Sequence, residues 1–413
     1  MRKASLGTIF FTVFLDLVGF GLVVPYLPGV ARAYGASDVV ATLLGATYSL
    51  MQLLFVPFWG HLSDRTGRRP ILLGSIAASA LGMALLGSST SLWMLFAARA
   101  FSGIATSNIA VAQAYIADVT PPQERAKGMG IIGASIGLGF IIGPVIGGVL
   151  EAYSPLSRAG AMPAYAAAGL SALNFILALV YLPESLAPAE RGKHVRSASP
   201  LSIERFRTAF RFPGVLLAFA VQFVVVQSMS GLEQTFRMFT EDEFRMNEGG
   251  TGAVLGLVGV VLVVVQGFVL RRLARITSER ALVRAGVLIQ AVAFTFIGVS
   301  PRFGPTAVAV LYMAMGVNAF GSALVAPSLS ALVSKCSDGQ NQGVVLGVLQ
   351  SAGALARVCG PATGGVLYAH IGHSAPYFAA AAGMLLAALV SLRLTRPHAP
   401  KASAKPTPTT VTG

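Results

Sequence analysis

Runs of about 18 to 25 apolar residues recur from one end of this chain to the other, each long enough to cross roughly 30 Å of hydrocarbon at about 1.5 Å of helix rise per residue. A water-soluble globule is excluded: 54% of the 413 residues are hydrophobic and 11% are charged, where an ordinary soluble protein carries about 25% charged residues. About twelve spans are predicted, near residues 6–29, 42–62, 70–88, 92–117, 128–150, 163–182, 213–236, 251–270, 281–300, 305–333, 342–369 and 374–394. The expected fold class is an all-α membrane protein of 12 transmembrane helices.

The formal net charge of +14 would suit a nucleic-acid binder if it were gathered on a soluble surface. Its placement argues otherwise. About 23 of the 30 basic residues fall in the connections on one face of the membrane, and the other face holds only Arg32, Arg158, Arg237, Arg245 and Arg302. By the positive-inside rule the basic face is cytoplasmic, and both termini with it. The basic excess is thus a topology signal with anionic lipid headgroups as its partners, and no nucleic acid is implied. Arg2 and Lys3 before an apolar stretch resemble a signal peptide, but Asp16 interrupts the stretch and it continues through Pro25, so a retained first helix is expected. The two cysteines, Cys336 and Cys359, indicate neither a disulfide framework nor a metal site.

The longest internal connection, about 183–212, is rich in Arg, Ser, Pro and Ala and reads as a cytoplasmic linker between bundles at 1–182 and 213–396; the Pro- and Thr-rich stretch 397–413 reads as a disordered, dispensable cytoplasmic tail. The two halves repeat. Gln123, Gly130, Gly143, Pro144, Gly147 and Gly148 recur 217 residues later as Gln340, Gly347, Gly360, Pro361, Gly364 and Gly365. Duplicated six-helix bundles, related by an axis along the membrane normal, are a transporter architecture.

The connection after the second span reads Gly60-His61-Leu62-Ser63-Asp64-Arg65-Thr66-Gly67-Arg68-Arg69. Positive charge alone would satisfy topology, but it requires neither the acid nor the two glycines. Gly60 would let a neighbouring helix approach, Gly67 would permit a tight turn at positive φ, and Asp64 would cap the next helix or pair with an arginine of another segment. This loop resembles the GxLxDRxGRR signature of the major facilitator superfamily, at Gly60, Leu62, Asp64, Arg65, Gly67, Arg68 and Arg69. The resemblance implies two pseudo-symmetric six-helix bundles, with the loop acting as a gating latch. The equivalent stretch of the second half, 267–280, lacks the acid and the second glycine.

Gly139, Gly143, Pro144, Gly147 and Gly148 in the fifth span resemble the family's antiporter-type motif, which implies export. Read without the resemblance, they form a small-residue stripe for helix packing. Arg99 and Gly103 resemble the family's RxxxG motif. A charge at the centre of a span costs about 2.5 to 3.5 kcal/mol on insertion scales, so Arg99 needs a structural partner or a role beside a protonatable carboxylate. Asp16, ten residues into the first span, is one candidate for that carboxylate, and the stretch that follows it resembles the first span of tetracycline/proton antiporters; a helix-packing role is the alternative.

Glu233 and Arg357 are further proton-coupling candidates, although Glu233, toward the outer end of its span, also suits an interfacial position. Phe20, Tyr48, Gln52, Phe101, Asn108, Gln113, Gln227, Asn318 and Gln350 could line a central cavity, while each taken singly also suits helix–helix contact. The chain departs from the tetracycline exporters where they carry acids, having Gly82 in the third span and Gln290 in the ninth. A substrate other than metal-bound tetracycline is therefore expected.

Together these features predict a non-enzymatic secondary transporter of the bacterial inner membrane, exporting a small amphipathic molecule in exchange for protons. No cofactor is expected, and no phosphate-binding loop points to ATP. An uptake symporter of the same fold and a non-transporting receptor or scaffold are the alternatives.

Overall fold

The computed structural model describes residues 6–106, 108–120, 125–154, 159–186, 191, 203–336 and 342–394. The predicted tail, half of the linker, and the repeat glutamines Gln123 and Gln340 lie outside them. The described chain is helical: α1 (Leu6–Val23), α2 (Leu27–Ala33), α3 (Asp38–Thr66), α4 (Arg68–Gly87), α5 (Leu92–Ala105), α6 (Asn108–Val119), α7 (Arg125–Glu151), α8 (Ala161–Tyr181), α9 (Ile203–Phe210), α10 (Val215–Phe244), α11 (Glu248–Val264), α12 (Leu270–Ile276), α13 (Glu279–Val299), α14 (Ala307–Cys336), α15 (Gln342–His370) and α16 (Ala375–Leu392).

Three pairs of these helices share one pass, and α9 belongs to the linker, which leaves twelve passes. Pro25 and Pro28 withdraw backbone donors and tighten the junction between α1 and α2 into a 3₁₀ turn. Thr106, with ψ of 105°, ends α5 before α6 begins. A π-helical turn at Val265–Val269 joins α11 to α12. Helix starts carry local caps where the chain leaves the membrane: the side chains of Ser91, Asn247 and Ser278 accept from the backbone N–H of Met94, Gly250 and Ala281.

Bilayer rather than water suits the outside of the bundle. On α8, Leu173, Ile176, Leu177 and Val180 follow helical spacing along one exposed face. Among the described residues, nine helical stretches are long and apolar enough to cross a membrane, and one of them, Glu279–Cys336, runs through two helices.

Helix pairing repeats between the halves. The contacts α1–α7, α4–α8, α3–α5 and α1–α8 have counterparts in α10–α15, α13–α16, α11–α14 and α10–α16. The halves meet along α3–α15 and α7–α11. Their registers, however, do not follow the 217-residue offset throughout. A Cβ on Gly143 would meet the Cα of Gly21, whereas one on Gly360 would meet the backbone of Gly231. Gly21 and Gly231 are 210 positions apart, so the first helix of the second half is shifted by seven residues, close to two helical turns, and keeps the same face inward.

Contacts between the halves gather at the ends remote from the basic loops. Gly252 lies against the Tyr26 hydroxyl, Gly148 against the backbone of Glu248, and Gly365 against Thr42; Tyr26 is itself held within the first half, donating to the carbonyl of Pro144 at 2.5 Å.

Candidate functional site

The main cavity, about 570 Å³, lies between the two halves and is lined from both. It brings together all four titratable candidates: Asp16 from α1, Arg99 from α5, Glu233 from α10 and Arg357 from α15. Its polar lining extends toward the basic face through Gln113, Gln222 and Gln350. At the opposite end the inter-half contacts just described close it.

Tyr48 organises the first-half side of this cavity. Its ring carries the Arg99 guanidinium at 4.3 Å from the ring centre, lies 5.7 Å from Phe20, and its hydroxyl accepts from Gln52 Nε2 at 3.2 Å. Arg99 is 2% exposed, and its Nε and one terminal nitrogen have no hydrogen-bond partner among the described residues. The aromatic face therefore supplies part of the compensation that a buried cation needs. Asp16, one helix away, opens on the same cavity.

The second-half side differs. Arg357 stands midway along α15 and is nonetheless exposed, because it faces the cavity. Glu233 lies within electrostatic reach of it without forming an ion pair within 4 Å. The interfacial position open to Glu233 from sequence is thus not the one it takes.

Of the cavity candidates, Phe20, Tyr48, Gln52, Gln113, Asn318 and Gln350 line the space; Phe101 and Gln227 do not. Gln227 instead donates to Thr363 Oγ1 at 3.4 Å, and Phe101 lies beside Gly82. A helical face cannot be assigned without its neighbours, which is why these two were misplaced. The side chain of Asn108 lies outside the described residues. Met229, Ser230 and Gln234 line the cavity and escaped notice, since single Met and Ser residues are ordinary inside spans.

In the gating loop, Gly67 has φ of 110° and links α3 to α4, as its spacing suggests. Two expectations are corrected. A Cβ on Gly60 would meet nothing within 4 Å, so no helix approaches there. Asp64 does not cap α4: the Glu184 carboxylate does, accepting from the backbone N–H groups of Arg68 and Arg69 at 2.9 and 3.2 Å, where the helix dipole favours an anion. Asp64 takes the other role open to it from sequence, pairing across the turn with Arg68 of α4 at 2.6 Å. Arg68 also reaches Asp118 at 3.1 Å, so this ion network ties α3, α4, α6 and the segment after α8 within the first half. Arg69 extends to the carbonyl of Leu179, and the Arg65 side chain is exposed.

The glycine stripe of α7 is a contact surface. Cβ atoms on Gly139 and Gly143 would lie 2.7 Å from atoms of α1, and one on Gly148 would lie 2.6 Å from the Glu248 carbonyl oxygen of the other half. A Cβ on Gly147 would collide with the Leu22 carbonyl, and Pro144 supplies the carbonyl that receives Tyr26. The stripe is packed against α1, and at Gly148 it also lies on the boundary between the two halves.

Comparison with known proteins gives one consistent family. The model of the Major Facilitator Superfamily matches residues 9–317 and 275–412. The class C tetracycline resistance protein of Escherichia coli is 33% identical over 362 residues, covering 87% of this chain and 88% of the relative. Major facilitator superfamily domain-containing protein 10 of Bos taurus is 30% identical over 426 residues, covering 92% and 90%. Among solved structures, that of the human organic anion transporter MFSD10 superposes with a TM-score of 0.72 at 27% identity, covering 94% of this chain and 98% of that one. A POT family transporter superposes with a TM-score of 0.74 at 16% identity and supports the fold alone.

Proposed function

Because the chain belongs to the major facilitator superfamily, and so is a membrane-embedded transporter of small molecules and not an enzyme, we propose that it exports a small amphipathic compound in exchange for protons by alternating access. The observation that carries this reading is the cavity between the halves, in which a carboxylate, Asp16, opens on the same space as the aromatic and amide lining. A carboxylate in such a place binds a proton and a substrate in competition: burial disfavours its charged form, and water admitted from either side restores it. The tetracycline resistance relatives and the glycine helix α7 support export over uptake.

The positive-inside pattern supports cytoplasmic termini. With the basic face cytoplasmic, the closed ends are external, and the molecule is captured facing inward with its site accessible to cytoplasmic substrate. The proton gradient is the energy source in this reading, and no cofactor takes part.

Proteoliposomes with an imposed pH gradient test it. Ethidium should move against its own gradient when the pH gradient is applied, and Asp16→Asn should abolish the driven flux while leaving downhill exchange. Flux insensitive to both the gradient and the substitution overturns proton antiport, and accumulation of the compound by intact cells overturns export.

A further inference from the structure

Two arginines lie deep in the spans, and their surroundings are unlike. Arg99 is sealed beneath the Tyr48 ring. Arg357 is open to the cavity, and among the described residues its guanidinium makes no hydrogen bond and no ion pair within 4 Å. A free cation midway through a span is costly unless something neutralises it. Glu233 lines the same cavity from α10 and makes no ion pair with it within 4 Å.

Next to Arg357 the chain arranges further donor capacity, and Gln222, Gln350 and Arg357 all line the cavity. Gln350, Gly353 and Arg357 recur at helical spacing along one face of α15. At Gly353, a Cβ would lie 3.5 Å from the amide nitrogen of Gln222 and 3.7 Å from the terminal nitrogen of Arg357. Two N–H-bearing groups from two helices thus converge over a residue with no side chain. A planar guanidinium with free donors beside an amide suits a carboxylate or sulfonate, whose paired oxygens take parallel N–H bonds.

The geometry points to an anion subsite between α10 and α15, in which Arg357 and Gln222 hold the acidic group of an organic anion while Glu233 is the standing counter-charge that the anion replaces. This rests on the transporter reading above and adds to it the substrate's charge and the residue that reads it. Arg357 is a binding residue here, and Glu233 acts by repelling the anion or, once protonated, by admitting it. The other charged or titratable group that bears on Arg357 is Tyr48 of α3.

The test is equilibrium binding of 1-naphthoate and its neutral amide, 1-naphthamide, to the purified full-length protein. The wild type should prefer the acid about tenfold or more, the gain of roughly one good charged hydrogen-bonded contact. R357Q should bring the ratio near one, R357K should restore part of it, and E233Q should tighten the acid alone. Equal binding of acid and amide by the wild type overturns the subsite, as does absence of binding by either probe up to its solubility limit. If Arg357 serves only to neutralise Glu233, R357Q will lower thermal stability and weaken both probes alike, and the R357Q/E233Q double variant will recover both; that result also overturns it. Failure here with proton-driven ethidium flux intact removes the subsite and leaves the antiport reading standing; failure of the flux with the acid preference intact does the reverse.

Discussion

Arg32, at the end of α2, and Asp242, near the end of α10, join the two halves through a two-pronged ion pair, with N–H···O distances of 3.0 and 2.8 Å. Arg32 also binds Asp38 through Nε at 2.9 Å, and Tyr368 donates to Asp242 at 2.6 Å. Bidentate geometry with both partners held by further bonds distinguishes this pair from ordinary surface ion pairs, which contribute little.

Breaking the pair should therefore release the closed end. Thr42, fully buried against Gly365, is a reporter once replaced by cysteine in a chain whose Cys336 and Cys359 are serine. Arg32→Asp and Asp242→Arg should each raise its labelling by a membrane-impermeant thiol reagent about 5- to 30-fold, the population shift that 1–2 kcal/mol produces. The double swap should return it toward the starting value. Labelling unchanged by the single variants would remove the pair from the gate.

Gly67 has φ of 110° and ψ of 160°, a region that costs a residue with a side chain about 1–3 kcal/mol. A Cβ there would also strike the Glu184 carboxylate. Gly67→Ala should lower the unfolding temperature in detergent by several degrees. Glu184→Gln, which keeps an acceptor for Arg68 and Arg69 but loses its charge, should lower it less. A larger effect from Glu184→Gln would place the cost in the ion network rather than in the turn.

Gly143 and Gly60 should behave in opposite ways. Gly143→Ala forces α1 and α7 apart and should cost about 1–3 kcal/mol, the usual range for overpacking. Gly60→Ala meets open space and should leave stability within about 0.5 kcal/mol. If Gly60→Ala nevertheless slows flux, a helix approaches it in another conformation of the cycle; unchanged flux would leave the glycine without a role.

Asp64→Asn removes one of two carboxylates that hold Arg68. Ethidium binding should stay within about twofold while proton-driven flux falls about tenfold, the pattern of a residue that acts on turnover and not on ground-state binding. Equal loss of both would argue against a latch.

Much of the molecule was legible before the structure, and particular residues show why. The apolar runs and the basic loops depend on local composition, so the passes could be laid out in order and the basic connections gathered on one side. Asp16, Arg99, Glu233 and Arg357 stood out because a charge in a span is rare and has to be explained. Phe101, Gln227 and Gly60 went astray because their assignment depends on which face of a helix meets which neighbour. Glu184 passed unnoticed for the same reason: in sequence it is a loop acid, and only the fold brings it to the start of α4 more than a hundred residues away.

Hydrocarbon admits only backbone that is hydrogen-bonded within itself, so amino-acid order alone dictated helices, their number and the face that carries the arginines. Which charges meet was decided by assembly. Membrane helices gain little from hydrophobicity in choosing partners, and close packing of small residues sets their register. That packing puts Arg99 under Tyr48, leaves Arg357 open to the cavity, and sets Arg32 against Asp242.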